Sequence, residues 1–237
     1  SHNTCNVTTI ENRLFTREPS TAAKLIVDVA TTGKYVAADG TTVKLDRANF
    51  STHGEEANNA PRGTNERNYA SQLFDVTAVN LLLAKHNEAT IPPGDLRYSQ
   101  ERSTGAKDSG ERVRDYSTNP PTKIADDPQD AAMFNGMVDI NSIITGRFEP
   151  EAFMSHKDSV TSQDEKVTSF ETKEEFEAKL AAAKEAGGFP IVLGVHANNR
   201  PFFDTDSKRP LHVDQALADG HVVLITGYDP VKHTVTY

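Results

Sequence analysis

Two residues of this 237-residue chain carry the chemistry for covalent catalysis. One is Cys5, the single cysteine. The other is His221, near the head of Gly220-His221-Val222-Val223-Leu224-Ile225-Thr226-Gly227-Tyr228. A cysteine attacks a carbonyl as the thiolate, so it needs a base or a positive field beside it. Imidazole is the side chain whose ordinary pKa lets it take that proton near neutrality and return it to a leaving group. The bland reading of a lone cysteine is a small buried hydrophobe.

The surrounding patterns supply elements that would hold both groups. Val7, Ile10 and Leu14 follow Cys5 at helical spacing, with Phe15 beside them, and Thr4 is a fitting N-cap. A cysteine in the first turn feels the positive end of the helix dipole, which favours thiolate. Val222 to Thr226 is too short for a helix and suits a buried strand. Gly227 to Pro230 reads as a turn, and Val231 to Tyr237 alternates like the returning arm of a hairpin.

A nucleophile opening an N-terminal helix, with a histidine starting a later strand, resembles the papain-like cysteine peptidase superfamily. The match rests on Asn3-Thr4-Cys5-Asn6-Val7-Thr8 and on the histidine, apolar run and Gly-Tyr of the 220–228 segment. The resemblance implies an α+β fold. Its N-terminal half, residues 1–165, would be mainly helical and carry the nucleophile helix. Its antiparallel β half, residues 166–237, would carry the histidine strand. It implies Cys5 as nucleophile and His221 as base. An orienting Asn or Asp would lie across the hairpin from His221, which falls just beyond Tyr237 if the turn is centred between Asp229 and Val231. The Gln that supplies an oxyanion donor in this family would fall at or before Ser1, leaving Asn3 or His2 as substitutes. The implied reaction is attack on a peptide or ester carbonyl through an acyl-thioester, with no cofactor and a protein or peptide substrate. Transfer of the acyl group to an amine, or deamidation, uses the same pair. A catalytically silent domain that binds another protein is the rival from a different class, and a proenzyme processed within residues 95–126 is a third.

Bulk properties narrow the field. The net charge of -9 argues against nucleic acid, which wants a basic face. No apolar run reaches the roughly 20 residues of a membrane helix. One cysteine excludes an internal disulfide framework and multi-cysteine zinc sites. The compartment stays open: the chain reads as soluble, and secretion is compatible with a single reactive thiol. His196 and His212 with Asp204, Asp206 and Asp214 lack tight ligand spacing, so a solvated acidic loop is expected rather than a metal site. Asn6-Val7-Thr8 and Asn49-Phe50-Ser51 match the glycosylation acceptor pattern, which is common by chance.

The remaining expectations concern the scaffold. Ala22 to Val29 extends as a second helix, and Lys34 to Leu45 forms a hairpin around a type I′ Asp39-Gly40 turn. Residues 49–64 read as loop. Asn65 to Lys85 is a helix capped by Asn65, with Tyr69, Leu73, Val76, Asn80 and Leu83 on its stripe. Gln72 and Asn80 read as satisfied flank residues. Residues 95–126 read as a long mobile loop. Asp127-Pro128 starts a helix with Met133, Met137, Ile140 and Ile144 inside and Gly146 as its stop. Residues 147–168 read as irregular, with a short strand at Lys166–Phe170. Thr172 to Ala186 is a helix opened by a Thr172/Glu175 capping box, and Phe189 to Val195 is a buried strand.

Overall fold

The computed structural model describes residues 5–50, 56–57, 67–101, 110–126, 134–147, 152–155, 168–196 and 220–237. The chain mixes helices and strands and divides into two compact units, Ser1–Glu149 and Pro150–Tyr237.

In the first unit, α1 (Cys5–Arg17) and α2 (Pro19–Thr32) are separated only by Glu18. Val7, Ile10 and Leu14 are each 2% exposed, as their helical spacing requires. Gly33 stops α2 in the left-handed region and returns its N–H to Val29 O. β1 (Lys34–Val36) and β2 (Thr42–Lys44) then form the expected hairpin. Its turn differs from type I′. Gly40 alone is left-handed, Ala37 O accepts from Gly40 N–H, and Ala37 N–H donates to Thr41 O at 2.8 Å. The result is a three-residue loop closed by a glycine bulge. Asp39 explains the choice, because its carboxylate accepts the Thr41 N–H at 2.8 Å and so stays out of the left-handed region.

Residues 49–64, expected to be loop, hold the end of a 3₁₀ turn (Arg47–Asn49) and a two-residue strand, β3 (Glu56–Ala57). β3 pairs in parallel with β4 (Arg67–Asn68). The helix expected from Asn65 starts later. α3 runs Tyr69–Ala89, and its cap is Asn68, whose side chain accepts from Ser71 N–H at 2.8 Å. Nor is α3 simply striped. Phe74, Asp75, Val76, Thr77, Ala78, Val79 and Leu81 are all fully buried, so it is a central helix enclosed on every side over its middle turns. It packs against α1, α2, β5 (Leu96–Gln100) and α4 (Phe134–Thr145).

Residues 95–126 are the largest departure from expectation. They contain β5, β6 (Glu111–Asp115) and β7 (Thr122–Ala125), an antiparallel sheet in that order. The sequence hides it because the inward positions are polar. Tyr98, Gln100 and Glu111 are fully buried and bonded to one another, so apolar alternation is missing. In α4, Met137, Ile140 and Ile144 are buried as read, and Gly146 turns left-handed behind it. The proposed opening at Asp127-Pro128 and Met133 lie outside the described residues.

In the second unit the sheet order is β11 (Gly220–Ile225), β10 (Ile191–His196), β8 (Ala152–Ser155), β9 (Thr168–Phe170). Only β10–β11 is antiparallel; β8 lies parallel to both β10 and β9. Within the half expected to be antiparallel, residues 166–237, β10 and β11 do pair so, but β8, in the stretch read as irregular, adds parallel pairings and makes the sheet mixed. α5 (Lys173–Glu185) buries Leu180 with Ile191, Ile225 and Tyr228. Thr172 caps it through Glu175 N–H, while the Glu175 carboxylate reaches back to Glu171 N–H at 2.9 Å.

The terminal hairpin also shifts. Gly227–Asp229 forms a strand, β12, and pairs with β13 (Thr234–Thr236) rather than turning. Asp229 accepts the N–H groups of Val231 at 2.9 Å and Lys232 at 3.1 Å, which folds Pro230–His233 into the turn. With Asp229 opposite Thr234, the turn is centred between Val231 and Lys232. This hairpin is a sheet of its own, separate from the one that contains β11, where His221 faces Val195 on β10.

Candidate active site

Cys5 is the first residue of α1, a 13-residue helix. Backbone N–H groups in a first helical turn have no intrahelical acceptor, so they present positive ends to whatever faces them. His221 is the second residue of β11, and its register partner is Val195. Six consecutive residue pairs join β10 and β11, so the backbone that carries His221 is part of a continuous ladder. His196 ends β10 opposite Gly220. Cys5 lies in the first unit and His221 in the second. His2, Asn3, Asp204, Asp206, His212 and Asp214 lie outside the described residues. Among the described residues no group of three His, Cys, Asp or Glu side chains is placed to hold a metal ion. None of the described helices is long and apolar enough to cross a membrane.

Beneath α1 the structure places polar groups that periodicity did not single out. Glu11 is 7% exposed, and its Oε2 accepts from Ser71 Oγ at 2.6 Å. Arg13 is 3% exposed, and Gln72 1%. A buried carboxylate is tolerated only where hydrogen bonds or opposite charge replace water. Glu11 sits against the first turn of α3, whose dipole favours an anion. The one signal in the sequence is a glutamate directly after a core position, Ile10.

A second polar cluster lies on the inner face of the β5–β6–β7 sheet. Tyr98 OH donates to Glu111 Oε1 at 2.8 Å and accepts from Gln100 Nε2 at 3.1 Å. Burial pushes the Tyr98 phenol well above its ordinary pKa, and the charges of Glu111 and Asp75 push the same way. This cluster is sealed from solvent and serves the core. Asn49 is likewise buried, with its amide donating to Tyr98 O at 3.0 Å and accepting from Asp46 N–H at 3.0 Å. In the folded unit it has no room for a glycan.

A cavity of about 370 Å³ lies between Asp39, Leu82, Lys85, Asp139, Ile143 and Arg147. Arg147 pairs with Glu18, which follows the C-terminal end of α1. At 1.5 Å per residue, that end is roughly 20 Å from Cys5. No family model, curated protein or solved structure matches the chain.

Proposed function

We propose that this chain is a cysteine-dependent hydrolase, a papain-like peptidase acting through an acyl-thioester, with Cys5 as nucleophile and His221 as general base. The observation that carries this reading is the position of Cys5 as the opening residue of α1. There the helix dipole favours a thiolate, and the first-turn backbone N–H groups have no intrahelical acceptor of their own, which suits an oxyanion. His221 belongs to a strand fixed by the β10–β11 ladder, a suitable mount for a base.

The chemistry balances without a cofactor. His221 takes the thiol proton, and the thiolate sulfur bonds to the carbonyl carbon of a peptide. The Cys5 N–H and a donor from Asn3 hold the oxyanion. The C–N bond breaks as His221 returns its proton to the amine. Water, deprotonated by His221, then cleaves the thioester and restores the thiol.

The test is the pH dependence of iodoacetamide alkylation, which reports on Cys5 alone because no other cysteine is present. Fast reaction near pH 6 that slows in His221→Ala is the expected result. A midpoint near the ordinary thiol value of about 8.5, unchanged by that substitution, removes the catalytic pair and leaves a binding domain.

A further inference from the structure

Two of the contacts that hold α1 differ in kind. Its apolar stripe, Val7, Ile10 and Leu14, drives burial but tolerates small rotations, because apolar packing is non-directional. The hydrogen bond from Ser71 Oγ to Glu11 Oε2 is short and directional. Ser71 is itself fixed, since its N–H is capped by Asn68 Oδ1 at 2.8 Å. Glu11 lies six residues after Cys5, about 9 Å along the same helix. A rotation of α1 that kept its apolar stripe in place would still break this bond.

We propose that the Glu11–Ser71 bond sets the orientation of α1 and, through it, the reactivity of Cys5. Glu11 and Ser71 are positioning residues: they act through the helix and not on the substrate. The inference rests on the catalytic reading of Cys5, and its test separates the two.

The full chain is prepared with Ser71→Ala, Glu11→Ala and Glu11→Gln, and alkylation is followed against pH, with His221→Ala as the background. Ser71→Ala and Glu11→Ala are expected to slow alkylation at pH 6 by roughly ten- to a hundredfold, the scale set by small misplacements of a reacting group. Glu11→Gln is expected to stay near wild type, because its amide carbonyl still accepts the Ser71 hydroxyl. Lower melting temperatures with an unchanged pH profile overturn the proposal and leave the contact purely structural. If the wild-type thiol itself titrates normally and ignores His221→Ala, the catalytic reading fails. Hydrogen exchange across Thr9–Leu14 then decides the positioning claim. Faster exchange in Glu11→Ala but not in Glu11→Gln supports it, and equal exchange in all three overturns it. Should Glu11→Ala fail to fold, Ser71→Ala carries the same comparison.

Discussion

Asn80 on α3 stands in for a neighbouring strand beside Tyr98 on β5. Its Oδ1 accepts the Tyr98 N–H at 3.0 Å and its Nδ2 donates to the Tyr98 carbonyl at 2.9 Å. Two helical turns on, Asn87 repeats the arrangement with Leu96, at 2.9 Å and 3.0 Å. Residues seven apart share a helix face, and residues two apart share a strand edge. Gln100 continues the row through a bridge to Phe50. An exposed strand edge invites pairing with another chain, and here the edge is closed by side chains.

Asn80→Ala is therefore expected to destabilise the first unit by about 1–3 kcal/mol, because the buried Tyr98 N–H loses its acceptor while the Tyr98 carbonyl keeps only the Asn49 amide. Asn87 is only partly buried, and Asn87→Ala is expected to cost about half as much. Urea unfolding of both variants measures this. A loss below about 0.5 kcal/mol for Asn80→Ala, the scale of an ordinary surface change, contradicts the clamp.

Alkaline pH probes the buried phenols. Burial, and then Asp28, raises Tyr35 to about 12, and Tyr98 is also raised. A phenol whose pKa is higher in the folded than in the unfolded chain stabilises the fold fully below the unfolded value of about 10. That contribution is lost as pH rises toward the folded value. Stability should thus fall above pH 10, less steeply in Tyr98→Phe. That variant should also start about 1–3 kcal/mol weaker, having lost hydrogen bonds to Gln100 and Glu111. Absorbance titration of the folded protein checks the ionisation: Tyr98→Phe should leave it unchanged below pH 11.

At acid pH the outer face of the same sheet should respond. The Arg114 hydrogen bond holds the Glu101 carboxyl below its ordinary pKa, against an opposing effect of burial. A depressed folded pKa gives stability that is present above the unfolded value of about 4.3 and lost as pH falls through the folded one. Arg114→Met should melt below wild type at pH 6, with the gap narrowing by about pH 3. A gap that holds constant across that range would show that Arg114 contributes through packing alone.

Two left-handed glycines separate strain from crowding. Gly33 and Gly187 have φ of 66° and 68°, so a side chain at either costs about 1–2 kcal/mol. Around Gly187 there is open space, whereas a Cβ at Gly33 would come within 2.7 Å of the Leu45 carbonyl oxygen. Gly33→Ala should therefore lower the melting temperature clearly more than Gly187→Ala. Equal losses would mean that the Gly33–Leu45 approach relaxes freely.

The sequence by itself determined the elements whose signals are local. The stripe of α1, the Thr172 cap of α5 and the apolar runs of β10 and β11 each follow from spacing and side-chain type within one turn or one strand. The placement of Cys5 at the head of α1 and of His221 near the head of β11 was legible for the same reason. Tertiary structure alone decided the rest. The β5–β6–β7 sheet was unreadable because Tyr98, Gln100 and Glu111 face inward, and their burial is tolerated only through bonds made across strands. Asn80 looked like a polar flank until β5 supplied the backbone it clamps. Glu11 looked like one more charge on α1 until Ser71, 60 residues away in the chain, gave its carboxylate a donor. Apolar periodicity reports what water expels. It does not report which distant partner makes a buried polar group affordable, and only the folded chain brings those partners together.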